Sequence, residues 1–167
     1  MGTTMNLEAV TLEEYLVTSY KPDRDFVQGE LQERNLGERD HSEMQLTVLL
    51  WFVRHAAEWK IAPLPEMRVQ TGSENYRIAD IAIVSSEAPR ERVLLTPPEI
   101  VIEILSPEDR IQRYEERLND YRAMGVRNIW VIDPRLNRGF NCSSGDWVRC
   151  DRFEVPNGPI YLALSEL

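Results

Sequence analysis

Two acidic residues stand inside apolar runs of this 167-residue chain. Asp80 interrupts Arg77-Ile78-Ala79-Asp80-Ile81-Ala82-Ile83-Val84, and Glu103 interrupts Ile100-Val101-Ile102-Glu103-Ile104-Leu105. Runs so rich in β-branched and aliphatic side chains predict buried strands. A carboxylate in such a strand is costly unless it is paired or holds a metal. Taken singly, each reads as a loop cap or as the partner of an arginine. Taken together, in neighbouring strand candidates, they also read as a small acidic site, and the residues alone leave both readings open. A divalent cation such as Mg²⁺ accepts carboxylate oxygens, a backbone carbonyl and water. Asp80, Glu103 and the Ile104 carbonyl are the candidate ligands. An ion held there can activate water and offset the charge developing on a phosphodiester.

Such chemistry usually adds a cation beside the metal. Two residues after Glu103 stands Leu105, which cannot serve. The nearest basic residues are Arg110, Arg113 and Arg117, spaced to share one flank of a helix. They can equally make surface pairs with Glu108, Glu115 and Asp120.

The elements that must position these groups can be read in order. Residues 1–10 read as a frayed tail. Thr11 and Glu14 form a capping box for a short helix to about Ser19, which Lys21-Pro22-Asp23 breaks. Phe26–Leu31 reads as a hairpin turning at Gln28-Gly29. From His41 to about Lys60, the residues Met44, Val48, Trp51, Phe52, His55 and Trp59 recur at helical spacing. Pro63 and Pro65 then punctuate a return to extended structure, with a strand over Glu66–Gln70 and the Asp80 strand over Tyr76–Val84. Ser85–Thr96 reads as a charged loop, and Pro97-Pro98 launches the Glu103 strand. Ser106 is a natural N-cap, with Pro107 first in a helix that runs to Met124. Ile111, Tyr114, Leu118 and Tyr121 form its inner stripe, and Gly125 its left-handed terminus. A strand over Val126–Ile132 follows, then a hairpin and a last edge strand between Phe140 and Leu164. The fold class this predicts is α/β, a mixed sheet with helices against it, as one domain over 1–167. The Glu103 strand, its helix and the next strand form a β-α-β unit.

Composition narrows the function classes. At 43% hydrophobic and 28% charged the chain is globular, and no apolar run approaches the ~20 residues of a membrane span. No secretory leader is visible, so the expected location is the cytoplasm. The net charge of −9 argues against indiscriminate nucleic-acid binding but leaves room for a local basic patch. The two cysteines, Cys142 and Cys150, are expected to be free thiols. A turn over Ser143–Asp146 would set Cys142 against Trp147 rather than Cys150.

Several segments together resemble the Uma2 family, also called DUF820, within the PD-(D/E)XK nuclease superfamily. They are Phe26–Leu31, His41, Arg77-Ile78-Ala79-Asp80, Pro97–Pro107 and Tyr121–Pro134, the last containing Gly125-Val126 and Trp130-Val131-Ile132-Asp133-Pro134. The resemblance covers roughly residues 10–155. It implies a restriction-endonuclease-like mixed sheet flanked by helices, with N- and C-terminal hairpins and a core over about 25–135. It implies that Asp80 and Glu103 bind the metal, Mg²⁺ or Mn²⁺, and that Glu30 and His41 border the site. His41 can equally be a packing residue at a helix start. Arg117 stands where the family usually has lysine, and Ala79 where it usually has proline. The function implied is a metal-dependent endonuclease hydrolysing DNA phosphodiester bonds as a homodimer. The alternative is a nuclease-fold protein with weak or no turnover that serves as a binding or structural module.

Overall fold

The computed structural model describes residues 9–34, 37–107 and 111–167. A short helix α1 (Leu12–Val17) opens it, closed at its start by the Thr11/Glu14 capping box. Strands β1 (Asp25–Val27) and β2 (Glu30–Gln32) follow. They are joined through Gln28 and Gly29, whose φ angles of 52° and 84° are the paired positive values of a tight hairpin turn. Then come α2 (Arg39–Trp59), β3 (Ile61–Gly72), β4 (Asn75–Ser85) and β5 (Ile100–Ile104). Helix α3 (Ile111–Met124) leads to β6 (Asn128–Asp133), β7 (Arg138–Asn141) and β8 (Val148–Arg149). Strands β9 (Arg152–Glu154) and β10 (Tyr161–Ala163) close the chain with a 3₁₀ turn at Leu164–Glu166.

Strands β1 to β8 form one eight-stranded sheet in the order β2-β1-β4-β5-β6-β7-β8, with β3 on the other edge of β4. Among the described strand pairs β5 and β6 run parallel and the others antiparallel, because helix α3 returns the chain between them. Side-chain alternation sorts the core to the two faces. Ile81, Ile83, Ile100, Ile102 and Ile104 pack with Val48, Trp51, Phe52 and Trp59 of α2. Ala82 and Val101 point the other way, into a second cluster with Leu118 and Tyr121 of α3. A third, aromatic cluster of Tyr15, Phe26 and Tyr76 ties α1 and the first hairpin to the start of β4. Among the described residues no helix is long and apolar enough to cross a membrane.

Several expectations need correction. Of residues 1–10, Ala9 bridges to Glu30 and Val10 packs on the aromatic cluster, so order reaches back past the expected start; residues 1–8 lie outside the described residues. Strand β3 is far longer than Glu66–Gln70 and runs through Pro63 and Pro65. It can do so because, among the described residues, its proline-bearing stretch ladders with β4 on one side alone, and an edge position tolerates prolines. The charged loop after β4 is partly structural, since Leu94 exchanges backbone hydrogen bonds with Arg68 and Gln70. Helix α3 is described from Ile111; Ser106 and Pro107 precede it without helical structure, and Glu108, Asp109 and Arg110 lie outside the described residues. Tyr114, Leu118 and Tyr121 are buried, whereas Ile111 is 69% exposed. At 3.6 residues per turn Ile111 falls within roughly 20° of Leu118 and so shares the buried side; it is exposed as the first residue of the described helix. The last strand is not an edge of the main sheet. It pairs with β9 in a separate two-stranded sheet that covers α2, where the Trp51 indole donates to the Tyr161 carbonyl at 2.8 Å. Gly125 has the expected positive φ, 105°.

Candidate active site

Strand β4 is divided along one edge. There it pairs with β1 at Asn75 and Tyr76, and with β5 at Ile81, Ala82 and Ile83. Among the described residues the stretch Arg77–Asp80 between them has no strand partner on that side, and its polar backbone needs other company. Side chains provide it. The Ile78 N–H donates to Asp25 Oδ1 at 2.9 Å, and the Ile78 carbonyl accepts from Arg117 Nη1 at 3.0 Å. The fork therefore draws groups from β1, β4, β5 and α3 to one point.

The β4–β5 register places Ile81 opposite Ile102. One step further along sets Asp80 opposite Glu103, on the alternation shared by Ala82 and Val101. Both acids are 2% exposed, and both line a single cavity of about 90 Å³. Gln32, Arg34, His41, Arg113 and Arg117 line it too.

Asp80 is fully engaged. Its Oδ1 accepts from Arg34 Nη2 at 2.7 Å, and its Oδ2 accepts from the Ile104 N–H at 2.8 Å and lies 3.2 Å from His41 Nε2. Burial alone would push its pKa up. The His41 hydrogen bond, the Arg34 charge and the Ile104 N–H outweigh it and bring the value down to about 2. His41 responds in kind: burial works against its charged form, but the Asp80 hydrogen bond and charge raise its pKa.

Glu103 lies at the opposite extreme. Burial, the largest effect, pushes its pKa up, and the Asp80 charge adds to it. Arg117 and the Tyr121 hydroxyl oppose, and the outcome is a value of about 8. Tyr121 donates to Oε1 at 2.6 Å, and Arg117 Nη1 lies 3.5 Å from the same atom. Two neighbouring carboxylates with pKa values driven apart are a signature of acid–base or metal sites.

The sequence-derived candidates are therefore sorted as follows. Asp80, Glu103, His41 and Arg117 meet at the cavity. The Ile104 carbonyl accepts from the Tyr114 hydroxyl at 3.1 Å, so it lies beside them. Glu30 does not line the cavity; it is exposed at the start of β2, and Gln32, two residues on and on the same side of the strand, lines it instead. Arg117 is the expected cation beside the two acids. Its shortest contact is instead Nη2 to Asp25 Oδ2 at 2.7 Å, and the cation on Asp80 is Arg34. Of the other two arginines, Arg113 reaches the Glu33 carbonyl at 3.3 Å.

Four residues went unnoticed in the sequence. Asp25, 1% exposed, accepts from Ile78, Arg77 and Arg117. Arg34 bridges Asp80 and Glu66, and Gln45 Nε2 donates at 2.9 Å both to Glu66 Oε1 and to the Asp80 carbonyl. The Tyr121 hydroxyl had a legible signal, since a tyrosine in a buried stripe needs a partner for its O–H. Arg34, Gln45 and Glu66 had none, being brought together across separate elements.

The two carboxylates on the cavity, and the carbonyl next to them in β5, are hard oxygen donors of the kind Mg²⁺ and Mn²⁺ take. Among the described residues no group of three or more His, Cys, Asp and Glu side chains is arranged around one point. An ion here would complete its coordination with water or phosphate, as Mg²⁺ commonly does.

This mixed sheet with a carboxylate-lined fork is the architecture of a nuclease-like α/β protein. The Uma2 family model, described as "Putative restriction endonuclease", matches residues 12–156, and the chain belongs to that family. A similar solved structure is described as "a putative nuclease belonging to DUF820" from Anabaena variabilis ATCC 29413. It superposes with a TM-score of 0.80 at 21% identity, covering 94% of this chain and 96% of that one, so the fold is shared. No curated protein matches the chain.

Proposed function

We propose that this protein is an endonuclease that hydrolyses phosphodiester bonds of DNA with a bound Mg²⁺ or Mn²⁺. The observation that carries the reading is the pair Asp80 and Glu103, buried side by side on one cavity that Arg34, Arg77, Arg113 and Arg117 also line. Asp80, Glu103 and the Ile104 carbonyl would hold the ion. Its contribution when bound is to acidify water and offset phosphate charge. The chain's own residues do the rest. His41 keeps Asp80 ionised and fixed in orientation. Tyr121 and Arg117 fix the Oε1 edge of Glu103. Arg117 cannot give up a proton at neutral pH, so it acts by charge and position. Arg113, on the cavity wall, adds positive charge where a polyanion would approach. We further read the protein as a single-domain cytoplasmic homodimer, the symmetry that lets two sites cut two strands.

The test is cleavage of DNA and RNA substrates with Mg²⁺ or Mn²⁺. Asp80→Asn and Glu103→Gln should each lower the rate roughly 10³-fold, the equivalent of several kcal/mol of lost charge stabilisation. Activity that survives either substitution with both metals sinks the assignment. A second reading is a binding or structural module without turnover. It is favoured by the full engagement of both Asp80 oxygens with protein donors. Nucleic-acid binding with no cleavage of any substrate form would establish it.

A further inference from the structure

Arg34 holds a carboxylate oxygen that a metal ion on Asp80 would compete for. Its Nη2 lies 2.7 Å from Asp80 Oδ1, and its Nη1 is ion-paired with Glu66. The side chain is only 14% exposed, and it lines the same cavity as Asp80 and Glu103. Glu66 sits in β3 between Pro65 and Met67, whose partners in β4 are Ile81 and Ala79. That places Glu66 beside Asp80 across the ladder, with one guanidinium bridging the two acids. Gln45 holds the same pair from above, donating to Glu66 Oε1 and to the Asp80 carbonyl at 2.9 Å. A buried carboxylate must be compensated, and a guanidinium and a dication compete for the same oxygen.

We infer that Arg34 is a built-in counterion that holds Asp80 when no dication is bound, and that turns to a nucleic-acid phosphate when a dication takes its place. This rests on the metal reading of Asp80 and Glu103. The dication's charge is offset in two places: Glu103 gives up its proton to water on ligating, and a nucleic-acid phosphate brings a further negative charge. Arg34 leaves one carboxylate oxygen, the dication takes it, and the freed guanidinium keeps its Glu66 partner or takes up a phosphate oxygen. Arginine is suited to both roles because its planar fork matches carboxylate and phosphate alike. Two consequences follow. Metal affinity is weakened by the contact that must be broken, and metal and nucleic acid bind cooperatively, because phosphate captures the arginine that metal displaces.

Mn²⁺ titration calorimetry without nucleic acid tests the competition in the full chain and in Arg34→Met and Arg34→Lys. Arg34→Met should bind Mn²⁺ about tenfold more tightly, within the ordinary range of coupling between sites. Arg34→Lys, which keeps the charge, should stay within a few-fold of the parent and guards against a folding artefact. Thermal melting gives the second readout. In chelator Arg34→Met should melt below the parent, and saturating Mn²⁺ should erase the difference; a merely structural arginine would leave the deficit in place. A third arm measures binding of a non-hydrolysable duplex, where Mn²⁺ should strengthen binding by the parent more than by Arg34→Met. Equal Mn²⁺ affinity in parent and Arg34→Met overturns the displacement while leaving the metal reading intact. Failure of both to bind Mn²⁺ overturns the metal reading and the displacement with it.

Discussion

Asp80 and Glu103 are alike in burial and opposite in ionisation, and the difference lies in their donors. Asp80 has a guanidinium, an imidazole and a backbone N–H; Glu103 has one hydroxyl and a more distant guanidinium. Stability should carry the mark of this. The folded pKa of Glu103, about 8, lies above its ordinary 4.5. A raised folded value means stability that is fully present below about pH 4.5 and lost as pH rises to about 8. In chelator the parent should therefore lose melting temperature between pH 5 and pH 8. Glu103→Gln should lose less over the same window, keeping only the part due to His41, whose pKa is also raised. Parallel pH profiles for the two proteins would contradict the assignment.

Arg117 is the residue whose expected role changes most. It was expected to act on the metal site; its strongest partner is the buried Asp25, which also supplies the missing strand contact of Ile78. Arg117→Ala should therefore destabilise the fold by about 3 kcal/mol, the scale of breaking a buried ion pair. Arg117→Lys should recover only part, since an ammonium cannot span Asp25, the Ile78 carbonyl and Glu103 together. Denaturant unfolding of the three proteins measures this, and an unchanged midpoint for Arg117→Ala would refute the clamp.

At the scale of elements, helix α3 links packing to the site. Its buried stripe carries Tyr114 and Tyr121, whose hydroxyls reach the Ile104 carbonyl and Glu103. Leu118 between them is fully buried. Leu118→Ala should cost about 2–5 kcal/mol through the cavity it leaves, whereas Ile111→Ala should stay within about 0.5 kcal/mol. Chemical denaturation distinguishes them, and equal costs would mean that the helix meets the sheet at a different angle. Gly139 in β7 shows the same dependence on fit, because a Cβ there would fall on the Cys150 carbonyl and the Phe153 ring. That close approach lets β9 and β10 fold back over α2.

Across the whole molecule, the two cysteines test the register of the last third. Both are free; Cys142 is fully buried, and burial pushes its thiol up to about 12. Unreduced, denatured protein should show two titratable thiols. In the native state at neutral pH Cys142 should react far more slowly than in the denatured chain, being both inaccessible and protonated. Finding no thiol after denaturation would mean a disulfide and a different hairpin.

The sequence by itself determined the elements and the two acids. Residues 79–84 and 100–104 are too apolar and too β-branched to lie anywhere but in the sheet core, so an acid within them had to be compensated. The capping box at Thr11, the turn at Gln28-Gly29 and the stripe of Tyr114, Leu118 and Tyr121 are local patterns, legible because i, i+3 and i+4 neighbours meet wherever the helix goes. Tertiary structure alone decided which cation compensates which acid. Arg34, Asp25, Glu66 and Gln45 lie from 14 to 55 residues away from Asp80 along the chain and carry no periodic signal. Asp25 enters because β4 pairs with β1 and β5 on the same edge and leaves a gap between them, whereas Glu66 comes from β3 on the other edge and Gln45 from α2. A gap in strand pairing is a property of the sheet and not of any strand, so no reading along the chain could have assigned its occupants.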